Sequence, residues 1–296
     1  MQIVFVAGYQ RSGSTLLDLL LGKIEGFLSL GEVYYVWERG FIQNQLCGCG
    51  SPFSSCPFWS QVSEVFFKKV GKIDPAHVFK LQQSVSRIRS FPFYVFKFLK
   101  TPGFKKELSD YSSILRDFYL SIQEISGNKT FIDSSKTPIH GFILKQIQDF
   151  DVRVIHLVRD SRAVAYSLTR SHLPTLSPFF SSIWWVCYNG MSQVLSRFVP
   201  YNVLVSYETL VLSPKKTVSE ILEKLHIEAN LSNSFFNETE VTLGINHTIS
   251  GNPMRFKTGK INIRMDNEWK EKLPFFSRIL VTCFTFPLLY YYRFKK

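Results

Sequence analysis

An α/β fold, with a parallel sheet flanked by helices around a P-loop-like turn, is predicted by three observations. A buried-strand pattern at 2–7 runs straight into Gly8-x4-Gly13-x-Thr15 and then into an apolar helix over 13–22. Short apolar runs recur at 130–133, 152–158 and 202–207 and alternate with helical patterns. The polar residues of interest fall just after these runs, where ligands bind in parallel sheets.

The first turn has the glycine spacing of a phosphate-binding loop, but Ser14 stands where an ATPase or GTPase carries its lysine. The nearest positive charge is three residues back, at Arg11. Backbone N–H groups at a helix N-terminus can still cradle a phosphate. A loop of this kind is poorly suited to Mg-nucleotide hydrolysis.

Residues 40–129 break the alternation and read as a mostly helical cap inserted between the first and second core strands. Between Lys68 and Lys106 there are ten Lys/Arg and one acid, Asp74, interleaved with Phe79, Phe91, Phe93, Tyr94, Phe96, Phe98 and Phe104. Such a pattern fits a core face plus a solvated face, docking to an anionic membrane surface, or an acidic acceptor. No motif supports nucleic acid.

The second run, Thr130–Asp133, ends in Ser134-Ser135-Lys136, and the third, Val152–Val158, ends in Arg159-Asp160 before a helix through Ser167. The fourth, Asn202–Tyr207, leads to Glu208. Pro214 then opens a helix with Val218, Ile221, Leu222 and Leu225 on one face. The tail 279–292 falls short of the roughly 20 apolar residues of a spanning helix, and Pro287 interrupts it. It reads as a packed helix, with an interfacial anchor as the alternative. The whole chain, 1–296, reads as one domain.

The formal charge of +12 over 296 residues favours an anionic partner, and 28 phenylalanines suggest apolar grooves or a membrane-facing surface. Met1 runs directly into a strand without a signal-peptide pattern, so a cytoplasmic protein is expected, with peripheral membrane contact through the cap or tail as an option. Cys47, Cys49 and Cys56 cluster as C-x-C-x6-C. Three thiols lack a fourth ligand unless His77 folds back, so a turn-rich structural element is preferred to zinc or a redox pair, and no metal is assigned.

Two of these motifs, in order and each after a strand, resemble the PAPS-dependent sulfotransferases, in particular their bacterial and tyrosylprotein-type branch. The first, Gly8 to Thr15, resembles that family's 5′-phosphosulfate loop. The second, His156-Leu-Val-Arg159-Asp-Ser-Arg-Ala-Val-Ala-Tyr-Ser167, resembles its 3′-phosphate site. The resemblance covers roughly 1–35, 130–226 and 245–273 and leaves the cap unmatched. It implies PAPS (3′-phosphoadenylyl sulfate) as co-substrate, a hydroxyl-bearing acceptor and no metal.

By the same resemblance, Arg11, Ser12, Gly13, Ser14 and Thr15 hold the 5′-phosphate, while Arg159 and Ser167 hold the 3′-phosphate. Glu32 is the general base, and Lys136 neutralises the bridging oxygen, beside Asp133 and Ser135 as positioning residues. Tyr207 lies near the adenine, or is merely packed. Arg255 or Lys257, with Gly259, belongs to a late closing loop. Leu16 stands in place of a base-stacking Trp, and the histidine base of cytosolic members has no match, so the small-phenol branch is disfavoured. The basic aromatic cap and apolar tail point to a sugar or lipid-linked glycan hydroxyl. The rival readings are a P-loop nucleotide kinase and a catalytically silent, membrane-associated nucleotide-binding module.

The chemistry agrees with the resemblance. Sulfuryl transfer proceeds in line through a loose transition state carrying less charge than a phosphoryl group. Fixed cations and backbone amides can therefore replace a metal clamp.

Overall fold

The computed structural model describes residues 1–127, 129–170, 177–231 and 239–294. In chain order, β1 (Gln2–Gly8), α1 (Ser14–Leu21) and β2 (Phe27–Gly31) are followed by a π-helical turn at Val36–Ile42. The helices α2 (Pro57–Val70), α3 (Pro75–Ser86), α4 (Phe91–Val95) and α5 (Pro102–Ser126) lead to β3 (Thr130–Lys136) and α6 (Pro138–Gln146). Next come β4 (Asp151–Val158), α7 (Ser161–Arg170), α8 (Pro178–Phe198), β5 (Asn202–Ser206), α9 (Tyr207–Leu212) and α10 (Pro214–Lys224). The chain then forms β6 (Glu240–Leu243), β7 (Gly259–Asn262), α11 (Trp269–Lys272) and α12 (Phe275–Phe294).

The five-stranded sheet has order β2-β3-β1-β4-β5, with all four pairings parallel. β6 and β7 form a separate antiparallel pair. Alternation along β1 explains the layering. Ile3, Phe5 and Ala7 enter a core with α2, α3, α5, α6 and α8, whereas Val4 and Val6 enter a second core with α1 and α10.

The helices between β2 and β3 begin with prolines that fix φ where no intrahelical N–H is needed. Asp74 and Thr101 accept from Ala76 N and Phe104 N at 2.9 and 3.2 Å, capping α3 and α5. Their aromatics divide: Tyr94 and Phe104 are buried, whereas Phe96 and Phe98 are exposed.

Three features depart from the sequence reading. β2 is an additional edge strand, so the helical segment lies between the β2 and β3 strands. The hairpin-like β6–β7 pair has no counterpart in the sequence pattern. Pro287 does not interrupt the tail: α12 continues through it to Phe294 and packs against α7 and α8. A proline inside a helix costs about 3 kcal/mol, which burial of Val281, Leu289 and Tyr292 offsets. α12 is also the one described helix long and apolar enough, by length and composition, to cross a membrane. Phe275, Phe276, Phe284 and Phe286 are exposed on it.

Candidate active site

The strand ends of β1, β3 and β4, the start of α9 and the loops at 249–254 and 262–266 enclose a cleft of about 500 Å³. Its lining includes Arg11, Gly13, Ser14, Thr15, Glu32, Lys136, Arg159, Ser167 and Tyr207. That volume lies within the range of small-molecule sites.

The β1–α1 turn is shaped by its glycines. A Cβ on Gly8 would lie 2.3 Å from the Leu157 carbonyl oxygen, so only glycine lets β1 and β4 approach there. Gly13 has φ 90 and a Tyr207 ring atom 2.5 Å from where its Cβ would be. Tyr207 is therefore packed against the loop itself. Among the described residues no side chain caps α1 at its N-terminus, which leaves its first N–H groups to a ligand.

Two guanidiniums face this turn. Arg11 Nε donates to Ser167 Oγ at 2.8 Å. Arg159 Nη1 donates to the Arg11 carbonyl at 3.1 Å, and Nη2 donates to Asp266 Oδ2, also at 3.1 Å. The neighbouring Asp160 accepts from Arg162 at 2.6 Å. Arg159 lies over the Tyr207 ring, 4.3 Å from its centroid. Burial, followed by repulsion from Arg159 and Arg170, lowers the pKa of Arg11. Such a cluster is stabilised by an anion. Arg159 Nε is buried with no hydrogen-bond partner among the described residues, which fits the same demand, whereas Ser12, also unpartnered there, is buried and does not line the cleft.

The opposite end of the cleft is built on Glu32. Lys136 Nζ donates to Glu32 Oε1 and, at 3.0 Å, to the Ser134 carbonyl. Ser250 Oγ donates to Glu32 Oε2 at 3.2 Å. Lys136 has φ 65, and its loop is held by Asp133, which accepts from Ser135 N at 2.9 Å and Tyr119 at 2.7 Å and pairs with His140 at 3.0 Å. Among the described residues five non-glycines have positive φ, and three of them, Arg11, Lys136 and Ser250, are at this site. Backbone strain of this kind concentrates where side chains must be aimed.

The late loop is placed differently from the sequence reading. Arg255 is buried and donates to the Thr248 and Leu46 carbonyls at 2.8 and 2.7 Å. Lys257 and Gly259 are exposed and do not line the cleft. The residues there are instead Gly251, Asn252, Asn262, Arg264 and Asp266, together with Arg39 from the π-helical turn. No signal in the sequence singles out Arg264 or Asp266, since loop closure alone brings Asp266 to Arg159 and Arg264 to the same cleft.

Residues 3–230 match the family model described as the sulfotransferase family. The chain belongs to the sulfotransferase family. Among solved structures, this sulfotransferase is similar to the sulfotransferase domain of the olefin synthase from Synechococcus PCC 7002, with 22% identity and a TM-score of 0.53, covering 96% of this chain and 94% of that one. It is also similar to the sulfotransferase domain from the curacin biosynthetic pathway, with 17% identity and a TM-score of 0.52, covering 95% and 96%. At these identities the likeness is one of fold. No curated protein matches the chain in sequence. Family membership sets aside the nucleotide-kinase reading.

Proposed function

We propose that this sulfotransferase moves a sulfuryl group from PAPS to an acceptor hydroxyl, with Glu32 as general base. The observation that carries the reading is the convergence of Glu32, Lys136, Arg11 and Arg159 on one cleft. The uncapped α1 N-terminus, the two guanidiniums and the unpartnered Arg159 Nε fit a doubly phosphorylated nucleotide. PAPS, when bound, supplies the sulfuryl group, with adenosine 3′,5′-bisphosphate as leaving group.

Arg11 and the N–H groups of Gly13 to Thr15 hold the 5′-phosphate. Arg159 and Ser167 hold the 3′-phosphate, and Tyr207 presents its ring beside them. Lys136, released from Glu32, neutralises the bridging oxygen as the S–O bond to the 5′-phosphate breaks. Glu32 takes the acceptor proton as the new O–S bond forms. A carboxylate suffices, because that proton becomes acidic only as the bond develops. No metal is assigned a part in the transfer.

Tyr35 also lines a second hollow of about 280 Å³, with Tyr34, Gln83, Arg87, Thr137 and Tyr188 around it. Aromatic faces among hydrogen-bonding groups, next to Glu32, suit a sugar hydroxyl, and we place the acceptor there. The segment 40–129 serves in this reading as the cap that walls the acceptor side. The exposed phenylalanines of α12 and the net positive charge fit peripheral contact with anionic lipid, such as a lipid-linked acceptor requires. Cosedimentation with anionic but not neutral vesicles tests that contact. The reaction is tested with radiolabelled PAPS and glycan or glycolipid acceptors. Label transfer that depends on Glu32 supports it, and hydrolysis of Mg-ATP in place of transfer contradicts it.

A further inference from the structure

Outside the cleft, three thiols and an imidazole from distant parts of the chain converge. Cys56 Sγ lies 3.5 Å from Cys47 Sγ, 3.7 Å from Cys49 Sγ and 3.2 Å from His247 Nδ1. Cys47 Sγ is 3.8 Å from the same nitrogen, and all four donor atoms lie within 4.8 Å of one another. The fourth group is therefore His247, which the sequence reading missed; His77 lies on α3.

We propose that these four residues bind a structural Zn²⁺. A tetrahedral zinc with bonds of about 2.3 Å to sulfur and 2.0–2.1 Å to nitrogen separates its donors by roughly 3.5–3.8 Å, close to the spacings found here. Three thiolates and one imidazole leave no open position, so the site is structural and not catalytic. Binding is balanced by release of three thiol protons, and the complex carries one net negative charge. Arg255 stands beside it, bonded to the carbonyls of Leu46 and Thr248, the neighbours of two ligands. This assigns Arg255 a counter-charge role in place of a phosphate contact.

The surroundings are built to hold the ligands. Gly48 N donates to the Thr248 carbonyl at 3.0 Å, and Trp59 Nε1 donates to the His247 carbonyl at 2.7 Å. The Phe58 ring stacks on His247. Two residues beyond His247, Ile249 exchanges backbone bonds with Leu30 and Glu32 at 2.8 and 2.7 Å, and Ser250 then reaches Glu32. The metal thus fastens the 247–250 segment across the end of β2 and positions Glu32. That consequence rests on the proposed role of Glu32, whereas the metal site itself does not.

The test is metal content of the full chain purified without chelator, followed by exchange of Zn²⁺ for Co²⁺. The expected result is about one zinc per chain and, after exchange, the thiolate charge-transfer and tetrahedral bands of a sulfur-rich cobalt site. Cys49→Ser and His247→Gln should each weaken Zn²⁺ retention against a competing chelator by more than about tenfold, and Cys187→Ser should not. Should a ligand variant fail to fold, the wild-type metal content and cobalt spectrum still decide. Iron in place of zinc, a Cys47–Cys56 disulfide in the native mass, or wild-type protein that takes up neither Zn²⁺ nor Co²⁺ would overturn the proposal. Zinc content that survives Glu32→Gln while transfer is lost separates this site from the reaction.

Discussion

Lys136 and Glu32, 104 residues apart in sequence, are hydrogen-bonded to each other at the floor of the cleft, with 12% and 11% of their side chains exposed. Neither lies in a helix. Glu32 directly follows β2, and Lys136 ends β3, the strand hydrogen-bonded to it. Adjacent parallel strands therefore deliver a carboxylate and an ammonium to one point, and the left-handed turn at Lys136 aims the ammonium inward. A pair so shielded is screened little by salt, and each partner holds the other in place.

Replacing Glu32 by Gln keeps the size and one acceptor oxygen but removes the carboxylate proposed as the base. Transfer should fall by about 10²–10⁴-fold, with adenosine 3′,5′-bisphosphate affinity changed less than about threefold. Lys136→Met should also lower turnover more than nucleotide binding. Steady-state transfer beside calorimetric binding checks both. Equal losses in the two measurements would make Glu32 a structural residue.

Gly13→Ala should damage both loop and site. The new Cβ would collide with Tyr207, and φ 90 is strained for any side chain. We expect destabilisation of about 1–3 kcal/mol, with nucleotide binding lost more severely than stability. Thermal melts with and without adenosine 3′,5′-bisphosphate would show a lower Tm and a vanished ligand-induced rise.

Asp18, fully buried on α1 and bonded to Ser29, has its pKa pushed up to about 7, chiefly by burial. The folded state therefore holds this proton after the unfolded chain, with its ordinary value of 3.8, has released it. Stability from this group is present at low pH and is lost as pH rises from about 4 to 7, with an upper bound of about 4 kcal/mol. His156 slopes the other way, since burial lowers its pKa to about 4. The readout is thus the difference between wild type and Asp18→Asn across pH 4–8. That difference should move in favour of the asparagine variant as pH rises and level off above about 7. A flat difference would contradict the assignment.

The parts of the site that are legible in the sequence are those fixed by local backbone demands. Gly8 and Gly13 are dictated by close approach and positive φ, and Arg159 and Ser167 follow one strand at helical spacing. β2 is not legible, because Phe27-Leu-Ser-Leu-Gly31 is too short to show alternation and its partner, β3, lies about a hundred residues on. His247 is hidden for the same reason. A ligand 191 residues from Cys56 leaves no spacing to read, and only the folded loop brings it to the thiols. Arg255 resembles a phosphate ligand by its place in the chain, but its guanidinium is bound to two backbone carbonyls and does not line the cleft.

Calorimetric titration decides whether the paired guanidiniums form a site for a bisphosphorylated nucleotide. Adenosine 3′,5′-bisphosphate would be titrated in Mg-free buffer without chelator, beside Mg-ATP, for wild type and Arg159→Ala. We expect micromolar binding of the bisphosphate, weaker binding of Mg-ATP, and a loss of about 2–3 kcal/mol, roughly 30–150-fold, in the variant. Preference for Mg-ATP, or bisphosphate binding indifferent to Arg159, would contradict it.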